Sequence, residues 1–194
     1  MEQKAKDQAR SQEYRRSLVG FLSVEPTSDN AGLIGAILVT DERGYPLEFR
    51  CTTPVRPTAI QKTLYGALLK PYVSVELCGK RLLAEVQRKP ALVVTPLQDL
   101  LPLSSEQVPI VTVLRAGEVI ETESLAKSFD RERVESASGR FQPVVLLSRP
   151  DQQQELAPAK AILNELFRNF DLLEPFDRIK TALKALAESD PKYR

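Results

Sequence analysis

The chain has 194 residues, 42% of them hydrophobic and 27% charged, enough for one domain with a sizeable core and ordinary for a soluble globular protein. Its 27 basic and 26 acidic residues leave a formal charge of +1, so no global field draws it to nucleic acid or to an anionic membrane, and any such contact must come from a local patch. There is no histidine, which excludes the usual serine and cysteine triads and most zinc sites, and no apolar run nears the roughly 20 residues that span a bilayer.

Residues 1–16 have high helix propensity and almost no apolar face, which predicts a tail with nothing to anchor it. That polar start offers no apolar signal core, so a cytoplasmic address is the default expectation. Leu18 to Val24 reads as a strand with Leu18, Leu22 and Val24 on one side and Val19 and Phe21 on the other. The run Pro26-Thr-Ser-Asp-Asn30 ends it.

A hairpin follows, pairing Leu33–Thr40 with Leu47–Thr53. The unbroken apolar run of the first strand predicts burial on both faces and an interior place in the sheet. The second alternates Leu47, Phe49 and Cys51 with Glu48, Arg50 and Thr52, which predicts one wet face. Gly44 supplies the positive φ that the turn needs, and Pro46 closes it.

Thr58 reads as an N-cap. Ile60, Leu64 and Leu68 then recur every four residues, predicting a helix to about Lys70 with that face in the core beside Ile37, Val39 and Phe49. From Tyr72 the positions Val75, Cys78, Leu82 and Val86 keep helical spacing across Pro71 and Gly79, as two helices or as one kinked helix.

Ala91–Thr95 and Ile110–Leu114 are short, uncharged and β-branched, as buried strands are, with one helical turn expected within 98–107. A further strand is expected over 118–122, a polar loop over 124–140, and a strand over 141–148 in which Pro143 belongs at an edge or at the start. Beyond the polar joint 151–154, Leu156, Ile162, Leu163, Leu166, Phe167 and Phe170 line one amphipathic helix, and Phe176, Ile179, Leu183 and Leu186 a second. The expected organisation is thus a tail over 1–16, an α/β or α+β core with a mixed β-sheet over 17–150, and a C-terminal helical hairpin over 151–194. The apolar positions of that hairpin must meet the chain's own sheet or a partner, and the short joint favours its own sheet.

Chemistry has few places to reside. Asp41 and Glu42 at the hairpin tip, with Glu48 on the wet face, are the candidate acids for a metal; the competing reading is a solvated Asp-Glu-Arg-Gly turn, which is preferred because no second carboxylate arrives from another strand. Arg50, Arg56, Lys62 and Lys70, interleaved with Tyr65 and Tyr72, form a candidate basic and aromatic face for phosphate or nucleic acid. Lys80, Arg81, Arg88 and Lys89 add positive charge, but the acidic run 118–123 shows that charge is spread along the chain. Cys51 and Cys78 read as buried structural thiols rather than a disulfide pair. No cofactor is expected.

The run Gly44-Tyr-Pro-Leu-Glu-Phe-Arg-Cys-Thr-Thr-Pro-Val-Arg-Pro-Thr58, with Gln61 and Leu64-Tyr65-Gly66, resembles a block that recurs in an uncharacterised family of bacterial proteins, over about residues 33–72. The resemblance implies a shared structural block and no catalytic residue. In layout, the order hairpin, helix, strand Pro90-Ala-Leu-Val-Val-Thr95, linker and strand Val108-Pro-Ile-Val-Thr-Val113 is similar to that of ribonuclease H-like nucleases of the endonuclease V kind. There an acid is expected at the end of the later strand, where this chain has Thr95-Pro96, so the likeness implies a lost active site. The leading expectation is a binding or interaction protein without catalysis; the alternatives are a degenerate metal-dependent nuclease or phosphodiesterase and a nucleic-acid-binding module. A protein partner or self-association is expected, if anywhere, through the C-terminal helices, with nucleic acid as the other candidate partner and no membrane.

Overall fold

The structure, a computed structural model, describes residues 18–105, 108–117 and 129–193. The expected tail, the expected strand over 118–122 and the first part of the expected loop lie outside the described residues.

Seven strands make one sheet: β1 (Val19–Pro26), β2 (Leu33–Thr40), β3 (Pro46–Cys51), β4 (Leu92–Thr95), β5 (Ile110–Arg115), β6 (Asp130–Val134) and β7 (Val144–Ser148). Their order is β3-β2-β1-β4-β5-β7-β6. β1, β2 and β3 are antiparallel neighbours, β4 and β5 run parallel to β1, and β7 and β6 turn back antiparallel at the far edge. The mixed α/β sheet expected from the sequence is therefore present, with β1 lying between the hairpin strands β3-β2 and the two later strands β4-β5. β2 is interior and buried from Ile34 to Thr40, as its unbroken apolar run requires.

The helices are α1 (Ala59–Tyr65), α2 (Leu69–Tyr72), α3 (Lys80–Glu85), α4 (Leu156–Asn169) and α5 (Glu174–Ser189). Gly66, at φ 52°, parts α1 from a single continuous helix that runs from α2 through a π-helical segment, Val73–Gly79, into α3. A Cβ on Gly35 would stand 2.6 Å from Cys78 Cβ, so glycine in β2 is what lets the π segment lie against the sheet.

The two faces of β1 separate as the sequence alternation predicts. Leu18, Leu22 and Val24 face Val73, Cys78, Leu82 and Leu101 on one side; Val19 and Phe21 face α4 and α5 on the other. There Phe21 meets the Phe176 ring edge-on at 5.6 Å, and Leu163, Phe167, Ile179 and Leu183 complete the layer. The C-terminal hairpin thus spends its apolar faces on its own sheet. This is the arrangement that the short joint favours, and it leaves the large side chains of those faces covered within the chain.

The same hairpin grips the β2–β3 turn. Asn169 Nδ2 donates to Glu42 O at 2.9 Å, Arg178 Nη1 donates to Gly44 O at 2.8 Å, and Gly44, at φ 82°, leaves room for the Phe170 ring. Two expectations are corrected. Residues 130–134 are the edge strand β6 rather than loop, with Glu132 held by Lys160, and Ile60, Leu64 and Leu68 lie outside the core altogether.

Candidate functional site

α1 is well specified as a helix. Thr58 accepts from Gln61 N at 3.2 Å while Gln61 Oε1 accepts from Thr58 N at 2.9 Å, a reciprocal cap worth about 1 kcal/mol. Gly66 closes the other end, and Lys62 stands in the last turn, where a cation suits the helix dipole. What α1 lacks is a core. None of its residues is buried, and every residue from 58 to 68 is exposed. Ile60 is 72% exposed, Leu64 77% and Leu68 71%.

The segment is nonetheless tethered at both roots. Leu33 N donates to Val55 O at 2.9 Å and Val55 N to Leu33 O at 2.8 Å, and Val73 is buried where the helix meets the sheet. Residues 56–72 therefore form a protrusion closed at its base, with three large aliphatic side chains in water. At the base Tyr65 and Tyr72 pair, ring centroids 4.8 Å apart, and the hydrogen bond between their hydroxyls, which favours the protonated phenol, chiefly raises Tyr72 above its ordinary pKa.

The candidate basic and aromatic residues do not share one role. Arg56, Lys62, Tyr65, Lys70 and Tyr72 lie within the protrusion, and Arg50 lies outside it. Arg50 Nε donates to Glu48 at 2.6 Å, and Arg56 reaches Asp29 at 3.5 Å. Between Phe49 and Val75 the cations are Arg50, Arg56, Lys62 and Lys70, and there is no Asp or Glu. Arg50, Thr53, Val55, Arg81 and Glu85 border an open cavity of about 550 Å³ where β3 leaves the sheet, a site of mixed charge.

The candidate metal acids are structural in their contacts. Asp41 Oδ1 accepts from Arg43 N at 3.0 Å and Tyr45 N at 2.9 Å, and so shapes the turn. Glu42 offers its carbonyl to Asn169. Glu48, expected on a wet face, is a latch whose side chain is only 11% exposed. Its carboxylate accepts from Arg88 N at 2.7 Å, Gln87 N at 3.0 Å and Arg50, tying β3 to the chain beyond α3. Burial pushes its pKa up, but these donors outweigh burial and hold it below the ordinary value.

No three of the Cys, Asp and Glu side chains among the described residues are grouped so as to hold a metal ion. β4 ends at Thr95, one residue past its Phe21–Val94 pairing with β1, and Thr95 Oγ1 accepts from Leu97 N at 3.1 Å; β1 runs on alone to Pro26, with Glu25 accepting from Ser23. β4 thus brings a hydroxyl to the place where the layout expects an acid. Cys51 and Cys78 are both free and pack on opposite faces of the sheet; burial raises both thiols above their ordinary value. No described helix is long and apolar enough to cross a membrane.

Compared with known proteins, the chain matches no family model and no curated protein. Among solved structures it is similar to endonuclease V of Ciona intestinalis in complex with a 24mer DNA containing an inosine followed by a ribo-adenosine, at 14% identity over 85% of this chain and 90% of that one, TM-score 0.44. The D234N form of that enzyme with a 23mer gives 14% identity over 84% and 88%, TM-score 0.45. Argonaute of Marinitoga piezophila with a 5′-OH guide RNA gives 10% identity over 81% of this chain and 27% of that one, TM-score 0.36. At these values the likenesses assign no role to any residue here.

Proposed function

We propose that this is a binding protein whose working part is the protrusion 56–72, which docks into an apolar surface of a protein partner. The observation that carries this reading is the set of three aliphatic side chains each more than 70% exposed, Ile60 and Leu64 on the capped helix α1 and Leu68 in the turn just past Gly66. A seven-residue helix without tertiary contacts is marginal in water. Covering each large aliphatic side chain contributes roughly 1.5 to 3 kcal/mol, so docking supplies what the chain's own core withholds. Thr95 at the end of β4 and the separation of Asp41 and Glu42 from other acids favour binding over cleavage.

The test replaces Ile60, Leu64 and Leu68 together by serine and works at concentrations where the chain is monomeric. The expected result is an unchanged melting temperature with less fluorescence from a dye that reports exposed apolar surface. A clear fall in melting temperature would place the helix in the core and end this reading.

A second reading, nucleic-acid binding, draws on the acid-free run from Phe49 to Val75 with its four cations and paired tyrosines. It predicts that a labelled single-stranded oligonucleotide binds, that salt weakens the binding, and that Lys62→Glu weakens it further. Binding indifferent to salt and to Lys62→Glu would remove it.

A further inference from the structure

The protrusion has an apolar groove at its own root. Pro71, Tyr72, Val75, Leu101, Pro102 and Phe129 line an open depression of about 540 Å³, so the residues that end the protrusion also begin the groove. The stripe on Ile60, Leu64 and Leu68 does not fill it, because all three remain in water. Among the described residues, one molecule therefore carries uncovered aliphatic side chains on the protrusion and an unfilled apolar hollow at the root of that protrusion.

We infer that the occupant of the groove is the protrusion of a second copy of this chain, exchanged reciprocally about a two-fold axis near Tyr72. This rests on the docking reading above and names its partner. A ridge and a hollow that adjoin on one surface are self-complementary under two-fold rotation, which places each ridge over the other copy's hollow. Charge agrees with shape. The rim of the groove carries Glu76 and Asp99, set against Arg149, which is bound by Asp151 at 2.7 Å. The protrusion brings Lys62 and Lys70 to that rim and no acid. Glu76 holds Lys80 at 2.7 Å, which leaves Asp99 as the acid with most to gain. Lys62 is the one charge on residues 58–68, so two protrusions can lie close without strong repulsion.

Sedimentation velocity of the full chain across the micromolar range tests this. The expected mass approaches that of two chains as concentration rises. Leu64→Asp on the ridge and Pro102→Asp on the groove rim, both at exposed positions, should each weaken association about tenfold or more, with circular dichroism unchanged. An equal mixture of the two variants should associate more tightly than either alone, because one ridge and one groove in the mixed pair are both intact. A wild-type chain that stays monomeric throughout would overturn this inference and leave docking to a different protein standing. Association undiminished in Leu64→Asp, or a mixture no tighter than its parents, would overturn the reciprocal exchange. Failure of the docking reading itself shows separately, as a lower melting temperature of the monomer.

Discussion

α4 and α1 carry the same kind of signal, apolar residues every three or four positions, and meet opposite fates. On α4, Leu163 and Phe167 are fully buried against the sheet; on α1, Ile60 and Leu64 stand in solvent. The difference is not in the periodicity. α4 and α5 have a wide apolar sheet face to cover and reach it through a short joint, whereas the opposite face is already filled by the π segment, α3 and the turn around Leu100 and Leu101. Helical periodicity thus reports that a face needs covering and says nothing of what covers it.

The strongest way to break that contrast is to empty a buried position. Phe167→Ala removes a ring that stacks on Phe141 at 5.7 Å and should cost about 3 to 5 kcal/mol in denaturant unfolding. A loss below about 1 kcal/mol would mean that the C-terminal hairpin is no more part of the core than α1 is.

Glu48 lies between the extremes. Glu48→Ala frees the amides of Gln87 and Arg88 and should cost about 1 to 3 kcal/mol. Because the folded carboxyl titrates below the ordinary 4.5, its contribution is complete above 4.5. As pH falls below that value the unfolded state takes up the proton first, and the contribution fades until the folded carboxyl is protonated too. The difference in stability between wild type and Glu48→Ala should therefore shrink on acidification, and a difference that stays constant from neutral pH to about pH 3 would remove the latch.

The smallest effect is expected at the position where the sequence alone predicts a large one. With Leu64 77% exposed, Leu64→Ala in the monomer should change stability by no more than about 0.5 kcal/mol. A loss of 2 kcal/mol or more would return α1 to the core and erase the contrast with α4.

Much of the fold is legible in the sequence, and the reason is local. The two sides of β1, the interior place of β2, the positive φ of Gly44 and the faces of α4 and α5 all follow from alternation, runs or turn chemistry within a few residues. The misses depend on distant partners. Glu48 finds its amide donors 39 and 40 residues away, and no spacing announces them. β6 reads as loop because Asp130-Arg-Glu-Arg is polar, yet an edge strand needs only backbone pairing with β7 and one buried anchor, Val134. Among the candidate site residues, Tyr65, Tyr72 and Lys62 fall together on the protrusion, while Arg50 is engaged by Glu48 two residues before it and Arg56 by Asp29, an acid that only the folded chain brings near. The exposure of Leu64 was beyond the sequence's reach, since Val73, Leu100 and Leu101 had to be seen filling that face first.

The double tether of the protrusion has a consequence for how such a chain can change over generations. Its roots are secured by the Leu33–Val55 bridge and by buried Val73, neither of which draws on residues 58–68. Selection for a folded domain therefore leaves those eleven positions almost unconstrained, and selection for whatever they touch acts on them alone. A lineage could rewrite its binding preference there, residue by residue, without passing through an unstable intermediate.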